Sequence, residues 1–242
     1  MGLYLYNSDY SQDALKWLKI FEEYNLSNHT INYKGDKLLN ILQNNIIESK
    51  DAALAYFFTT SFDYKNHLMQ RIIIESKSSK YCFLYAKNIK DADIKSLESA
   101  IIKSNDIKYI CKFACFIPGA DINKIKKLII KSKNAKFAHM YLKYVDSSRI
   151  IDFKEIIISS KKPRYLFELA KHLKSKKDIS KIEDILIENK SYNYIRLLAA
   201  KLKLANVEKL ETAILESNDV TEIKKFAKCV KGAKMKNFLL AL

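Results

Sequence analysis

With 242 residues, 48% of them hydrophobic, the chain can build a sizeable core, yet no apolar run approaches the ~18 residues that cross a bilayer. The formal charge of +16 excludes an acidic, solvating chain, and it is unevenly spread: residues 1–64 hold five lysines against eight acids, and the remainder holds 38 basic and 19 acidic groups. The opening Met1-Gly2-Leu3-Tyr4-Leu5-Tyr6 lacks both a basic leader and a sustained apolar stretch, and the four cysteines then predict free thiols and a cytoplasmic protein.

Residues 1–10 read equally as a short extended segment or as unstructured chain. Ser11–Tyr24 predicts an amphipathic helix, with Leu15, Trp17, Leu18, Ile20, Phe21 and Tyr24 as its apolar side, placed to cover whatever follows. Asn25–Asp36 is polar and reads as a loop. From there a motif of the form Asp-Ile-x-Lys-Leu-Glu-x-Ala-Ile-Ile-x-Ser recurs, at Asp93–Ser104, Asp121–Ser132, Asp178–Asn189 and Asn206–Ser217. Its closing residue marks Ser49, Ser76, Ser104, Ser132, Ser160, Asn189 and Ser217, separated by 27, 28, 28, 28, 29 and 28 residues. A fixed period in this range predicts a stacked repeat array.

The unit is clearest over residues 93–120. Asp93 is a candidate N-cap, followed by Ile94, Leu97, Ile101 and Ile102 at helical spacing. Asp106 caps a second helix whose apolar stripe is Ile107, Ile110, Phe113, Ala114 and Ile117, and Pro118-Gly119 ends it. The equivalent caps are Asp51, Ser78, Asn134, Ser191 and Asp219; Lys162 breaks the rule, with Pro163 at the first helical position in compensation. Helices this short need neighbours to be stable. The predicted fold is therefore all-α, an α-solenoid of seven two-helix repeats (38–64, 65–92, 93–120, 121–148, 149–177, 178–205 and 206–233). An N-terminal segment, 1–37, precedes the array, and a half-repeat, 234–242, closes it. In that half-repeat Leu239 and Leu240 occupy the register of Glu98 and Ser99, which predicts either a sealed last layer or end-to-end self-association.

Enzymatic patterns are missing. Four scattered glycines cannot cradle a phosphate, and the four histidines have no Glu-x-x-His or nucleophile company, so neither catalytic residues nor a cofactor are expected. Cys111 and Cys115 share a helical face and His139 holds the register of Cys111 one repeat later, but layers ~10 Å apart do not bring such atoms to one metal, and no metal site is expected. Phe113 and Tyr141 are core positions; Phe83 and Phe167, two residues earlier in the register, are candidates for partial exposure, with packing the favoured reading.

Lysine placement is the informative pattern. On the second helices, Lys80, Lys108, Lys136 and Arg164 hold one position and Lys87, Lys143, Lys171 and Lys228 hold another seven residues on, the same helical face. Lys50, Lys77, Lys133, Lys161 and Lys190 add a row at the turn between helices, and the first helices mix both signs. Only four of the 43 cations are arginine, which suits phosphate tracking better than base readout, although an AT-rich coding sequence also enriches lysine.

The pattern resembles α-solenoids of the HEAT/armadillo type with a short unit. It is more narrowly similar to helical-hairpin repeats carrying Phe-Ala-x-x-Val-x-Gly-Ala-(Asp/Asn)-Ile in proteins of AT-rich bacteria, their phages and giant viruses. That core stands here as Phe226-Ala227-Lys228-Cys229-Val230-Lys231-Gly232-Ala233 and more loosely over Phe113–Ile122. The resemblance implies a fold and no activity. The expected function is a non-catalytic interaction protein whose basic surface binds a large acidic or nucleic-acid-bearing partner, in the manner of a phage or mobile-element inhibitor of a nucleoprotein complex. The alternatives are direct, sequence-tolerant binding of DNA or RNA, and a structural or assembly subunit. No membrane partner is expected.

Overall fold

The computed structural model describes residues 37–62 and 67–234, and every regular element in them is helical, with no strand. The expected covering helix over Ser11–Tyr24, the loop after it and the terminal Leu239 and Leu240 lie outside the described residues. In chain order the helices are α1 (Lys37–Ser49), α2 (Ala52–Phe62), α3 (His67–Glu75), α4 (Ser79–Asn88), α5 (Ile94–Ser104), α6 (Ile107–Phe116) and α7 (Ile122–Ser132). They continue as α8 (Ala135–Tyr144), α9 (Ile150–Ser159), α10 (Pro163–Ala170), α11 (Lys176–Glu188), α12 (Tyr192–Lys201), α13 (Val207–Glu216) and α14 (Val220–Cys229), with a 3-10 turn, Ser147–Arg149, ahead of α9.

Contacts group the helices into two compact bodies, one ending at Ile125 and one beginning at Lys126. In the first, α3 touches α1 and α5, and α4 touches α2 and α6, so first helices adjoin first helices and second helices adjoin second helices. In the second, α8, α10, α12 and α14 adjoin in succession, as do α11 and α13.

The core repeats with the sequence. Leu42, Met69, Leu97, Ile125, Phe153, Ile182 and Leu210 are buried at one register of the first helices, and Ile46, Ile73, Ile101, Ile129, Ile157, Leu186 and Ile214 at the next turn. On the second helices Phe58, Tyr85, Phe113, Tyr141, Leu169, Leu198 and Phe226 hold the equivalent stripe. Each such side chain removed from water contributes about 1.5–3 kcal/mol. Phe113 and Tyr141 are core, as expected, and Phe83 and Phe167 are 6% and 7% exposed, so the packing reading holds for them and the exposure reading does not.

The turn between the helices of a repeat has one construction. Ser104 Oγ donates to the Ile101 carbonyl at 2.7 Å and accepts from the Asp106 amide at 3.3 Å. The same pair of bonds recurs at Ser49, Ser76, Ser132, Ser160 and Ser217. The residue before the cap position is left-handed each time: Lys50, Lys77, Asn105, Lys133, Lys161, Lys190 and Asn218 have φ between 50° and 58°, after serine in every case but Lys190, which follows Asn189. That conformation costs a non-glycine residue about 1 kcal/mol, so the lysine row foreseen at the turns sits where the backbone disfavours a side chain.

Asp51, Asp106, Asn134 and Asp219 cap their helices by accepting backbone amides, and Asp93 accepts the Ser96 amide at 3.1 Å. Ser78 and Ser191 make no side-chain cap bond, for which nothing in the structure gives a reason. Asp178, expected to open a helix, lies inside one: Ser175 accepts the Asp178 amide at 3.3 Å and starts α11 at Lys176.

The joint between successive repeats is made by a buried acceptor. Gln70 accepts the Asp93 amide at 3.0 Å, Glu98 the Asp121 amide at 2.9 Å, Glu183 the Asn206 amide at 2.7 Å and Glu211 the Lys234 amide at 3.1 Å, always 23 residues on. The mixed signs of the first helices predict surface positions for the three acids, yet Glu98, Glu183 and Glu211 are only 8%, 1% and 5% exposed. Glu98 and Glu183 thereby satisfy an orphan amide at the start of the next first helix, and a charge-assisted bond of this kind offsets their burial. Where the register holds Lys126 or Lys154, the tie inverts: their ammonium groups reach Asp152 at 2.9 Å and Asp178 at 3.1 Å, in the first turns of the next first helices.

Candidate interaction surface

The two kinds of helix differ in charge for a specific reason. The six first helices α3 to α13 carry twelve Lys or Arg against eleven Asp or Glu, and the six second helices α4 to α14 carry the same twelve against only Glu168 and Glu222. Cations are equally dense in both; carboxylates have been withdrawn from one.

On that row Lys87, Lys108, Lys136, Lys143, Arg164, Lys171 and Lys228 are exposed and Lys80 is half-buried. The first body brings Lys80 and Lys87 on α4 beside Lys108 on the adjoining α6; the second carries Lys136 and Lys143 on α8, Arg164 on α10 and Lys228 on α14. Lys171, one residue past the end of α10 with helical backbone angles, pairs with Glu168 at 2.6 Å. Among the described residues Lys87, Lys136, Arg164 and Lys228 make no ion pair.

Aromatic rings steady the remaining cations. Lys80 stands 5.4 Å from the Tyr81 ring, Lys108 5.2 Å from Tyr109 and Lys143 5.0 Å from Tyr144. Lys112, absent from the expected set, lies between Tyr109 and Phe83 at 5.0 and 5.7 Å. Exposed contacts of this type contribute ~0.5–1 kcal/mol and fix an ammonium group without neutralising it. The rings themselves bridge successive second helices, Phe83 with Tyr109 at 6.0 Å in the first body and Phe167 with Tyr194 at 6.2 Å in the second. They are structural rungs beneath the charge. Lys112 was legible in principle, since it follows Lys108 by one helical turn.

One further site escaped the sequence altogether. A cavity of about 300 Å³ in the second body is floored by Leu142, Ile157 and Leu169 and rimmed by His139, Glu168 and His172. Burial pushes the His139 imidazole below its ordinary pKa, and Lys143, Arg164 and Lys171 add to this against the opposing pull of Glu168. Burial works to raise the Glu168 carboxyl, but the bonded Lys171 ammonium outweighs it and holds the group below the usual carboxylate range. His139 packs on Tyr165 at 5.3 Å. Glu168 and His172 are four residues apart at the end of α10, whereas His139 comes from α8 in the preceding repeat, and no local spacing brings it to them.

Cys111 is buried and Cys115 half-buried; their mutual hydrogen bond and burial push the Cys111 thiol upward, which makes it an inert core group. Among the described residues no three His, Cys, Asp or Glu side chains are placed to hold a metal ion, and no helix is long and apolar enough to cross a membrane. No protein-family model, curated protein or solved structure matches the chain.

Proposed function

We propose that the chain is a non-catalytic binding protein in which short helical-hairpin repeats stack as an α-solenoid of the HEAT/armadillo kind. Its second-helix face grips a large polyanionic partner, an acidic protein or a nucleic-acid-bearing assembly. The observation that carries this reading is the loss of carboxylates from the second helices alone, twelve cations to two acids there against twelve to eleven on the first helices. A biased coding composition enriches lysine everywhere and cannot strip acids from alternate helices. Removing Asp and Glu from one row raises its positive potential without adding a cation, which is how a surface becomes complementary to an acidic one.

The test compares two sets of reversals in the full chain. Lys87→Glu, Lys143→Glu and Lys228→Glu together lower binding to polyglutamate and to a labelled duplex by roughly tenfold or more at ~0.1 M salt, because each exchanges an attraction for a repulsion within a Debye length. Lys95→Glu, Lys127→Glu and Lys181→Glu, on first helices, change binding by less than about twofold. Equal losses from the two sets would show that net charge alone governs binding and would remove the proposed face.

A further inference from the structure

In the second body the basic helix face continues onto the turns that lead into its second helices, through Lys136 and Arg164. Where α8, α10 and α12 begin, residues 132–137, 160–165 and 189–194 hold six cations and no acid. Lys133, Lys161 and Lys190 occupy the left-handed position. Lys136 and Arg164 follow in the first helical turn, where no acid balances them, and Lys162 replaces the capping acid itself. Glu188 approaches from α11 and pairs with Lys161 at 3.6 Å. Asn189 donates its side-chain amide to the Lys161 carbonyl at 3.1 Å, which ties neighbouring turns to one another. The edge stops sharply: the next turn reads Ser217-Asn218-Asp219.

Two choices that local physics disfavours converge on this edge. A left-handed residue prefers Gly or Asn over Lys, and a helix start prefers an acid over a cation. Elsewhere this conformation is taken by Lys50 and Lys77 as well as by Asn105 and Asn218, and Asp51, Asp106 and Asp219 follow three of the four as caps. Lysine and asparagine codons are equally AT-rich, so coding bias does not select between them. Asn134 engages an amide at the start of α8, whereas α10 and α12 begin without a side-chain cap bond; the charges of the edge are side chains, and the helix starts add to them without forming the site alone.

We propose that this edge is a docking surface for the phosphate backbone of a nucleic-acid duplex, a reading that rests on the polyanion-binding function and specifies its partner. The three second helices adjoin in succession, and at ~10 Å per helix the outer turns stand ~20 Å apart, a span facing about six phosphates on each strand. An acidic protein interface would want apolar anchors among the charges, and none of the exposed large apolar residues falls in these three segments. Single strands are held by exposed aromatics on which bases stack; Tyr165, Tyr192 and Tyr194 are half-buried and Phe137 and Phe167 are buried. Cations without platforms suit a polymer whose bases are already stacked inside.

The test uses the full chain with Lys133→Asn, Lys161→Asn and Lys190→Asn combined, substitutions the fold already accepts at Asn105 and Asn218. Fluorescence anisotropy is read with labelled 20-mer duplex DNA, duplex RNA, single-stranded DNA and polyglutamate across 50–300 mM KCl, and melting temperature confirms folding. The expected result is a melting temperature within a few degrees of wild type, duplex binding weakened by about tenfold or more, and a log–log salt slope shallower by about two to three. Polyglutamate binding is little changed. Equal duplex affinity in wild type and the triple variant overturns the inference, as does tighter binding of the single strand than of the duplex. Wild-type protein that binds polyglutamate but no duplex at 50 mM overturns it too, and leaves the broader polyanion reading standing; failure with both probes removes both.

Discussion

Glu183 retains 1% exposure, a position in which a carboxylate normally destabilises a fold, and is kept there by the Asn206 amide and by Lys209 at 3.4 Å. Glu98 does the same service for Asp121 without a cation beside it, and Gln70 shows that a neutral carbonyl suffices. Glu98→Gln is therefore expected to change stability by less than about 1 kcal/mol, and Glu98→Ala to cost about 1–3 kcal/mol by leaving a buried amide unsatisfied; urea unfolding separates the two. His139 supplies a pH signature. Its folded pKa lies below the unfolded value of ~6.5, so its contribution to stability is full above that pH and is lost as pH falls through the lowered folded value. His139→Phe preserves the ring against Tyr165 and should flatten the decline in melting temperature between pH 7 and 5. A decline identical in the two proteins would assign it to other groups.

At the scale of the element, the hairpin is specified by three consecutive residues: a serine that folds back on its helix, a left-handed residue and a cap. Gly119, at φ 83°, stops the chain after α6 and has open space where a Cβ would be. Gly119→Ala should thus lower stability by about 1 kcal/mol through backbone conformation alone, and Gly119→Asn by less, measured by thermal melting. Leu97→Ala, at the centre of the first-helix stripe, should cost about 2–5 kcal/mol because its neighbours cannot collapse into the void. Caps and stripes were readable because they depend on residues within one turn of each other. The start of α11 was misplaced because two serine- or aspartate-type caps, Ser175 and Asp178, compete three residues apart, and the earlier one captures the amide of the later.

For the molecule as a whole, periodicity made the helix pairs and their buried registers legible, and the lysine positions on α4, α6 and α8 with them. What periodicity concealed is anything built from two repeats at once. Glu98, Glu183 and Glu211 looked like surface charges because their partner is a backbone amide 23 residues away, and no side chain marks it. His139, Glu168 and His172 did not read as a cavity for the same reason: its lining comes from α8, α9 and α10 together. The charge contrast between the two rows was present in the letters but needs true helix boundaries to be counted, since starting α11 at Asp178 would drop Lys176 and Lys177 from the first-helix total.

The inverted joints give the second body a property of their own. Lys126 with Asp152 and Lys154 with Asp178 are held by opposite charges at part-exposed sites, whereas an amide-to-carbonyl tie such as that of Gln70 owes little to ionic strength. Brine should therefore soften the stretch from α7 to α11 first, opening a seam that amide hydrogen exchange at ~1 M KCl would locate while α3 to α5 stay protected. If the neighbouring turns dock a phosphate backbone as proposed, the same brine would weaken that contact, and release of the guest and loosening of its seat would become a single response to salt.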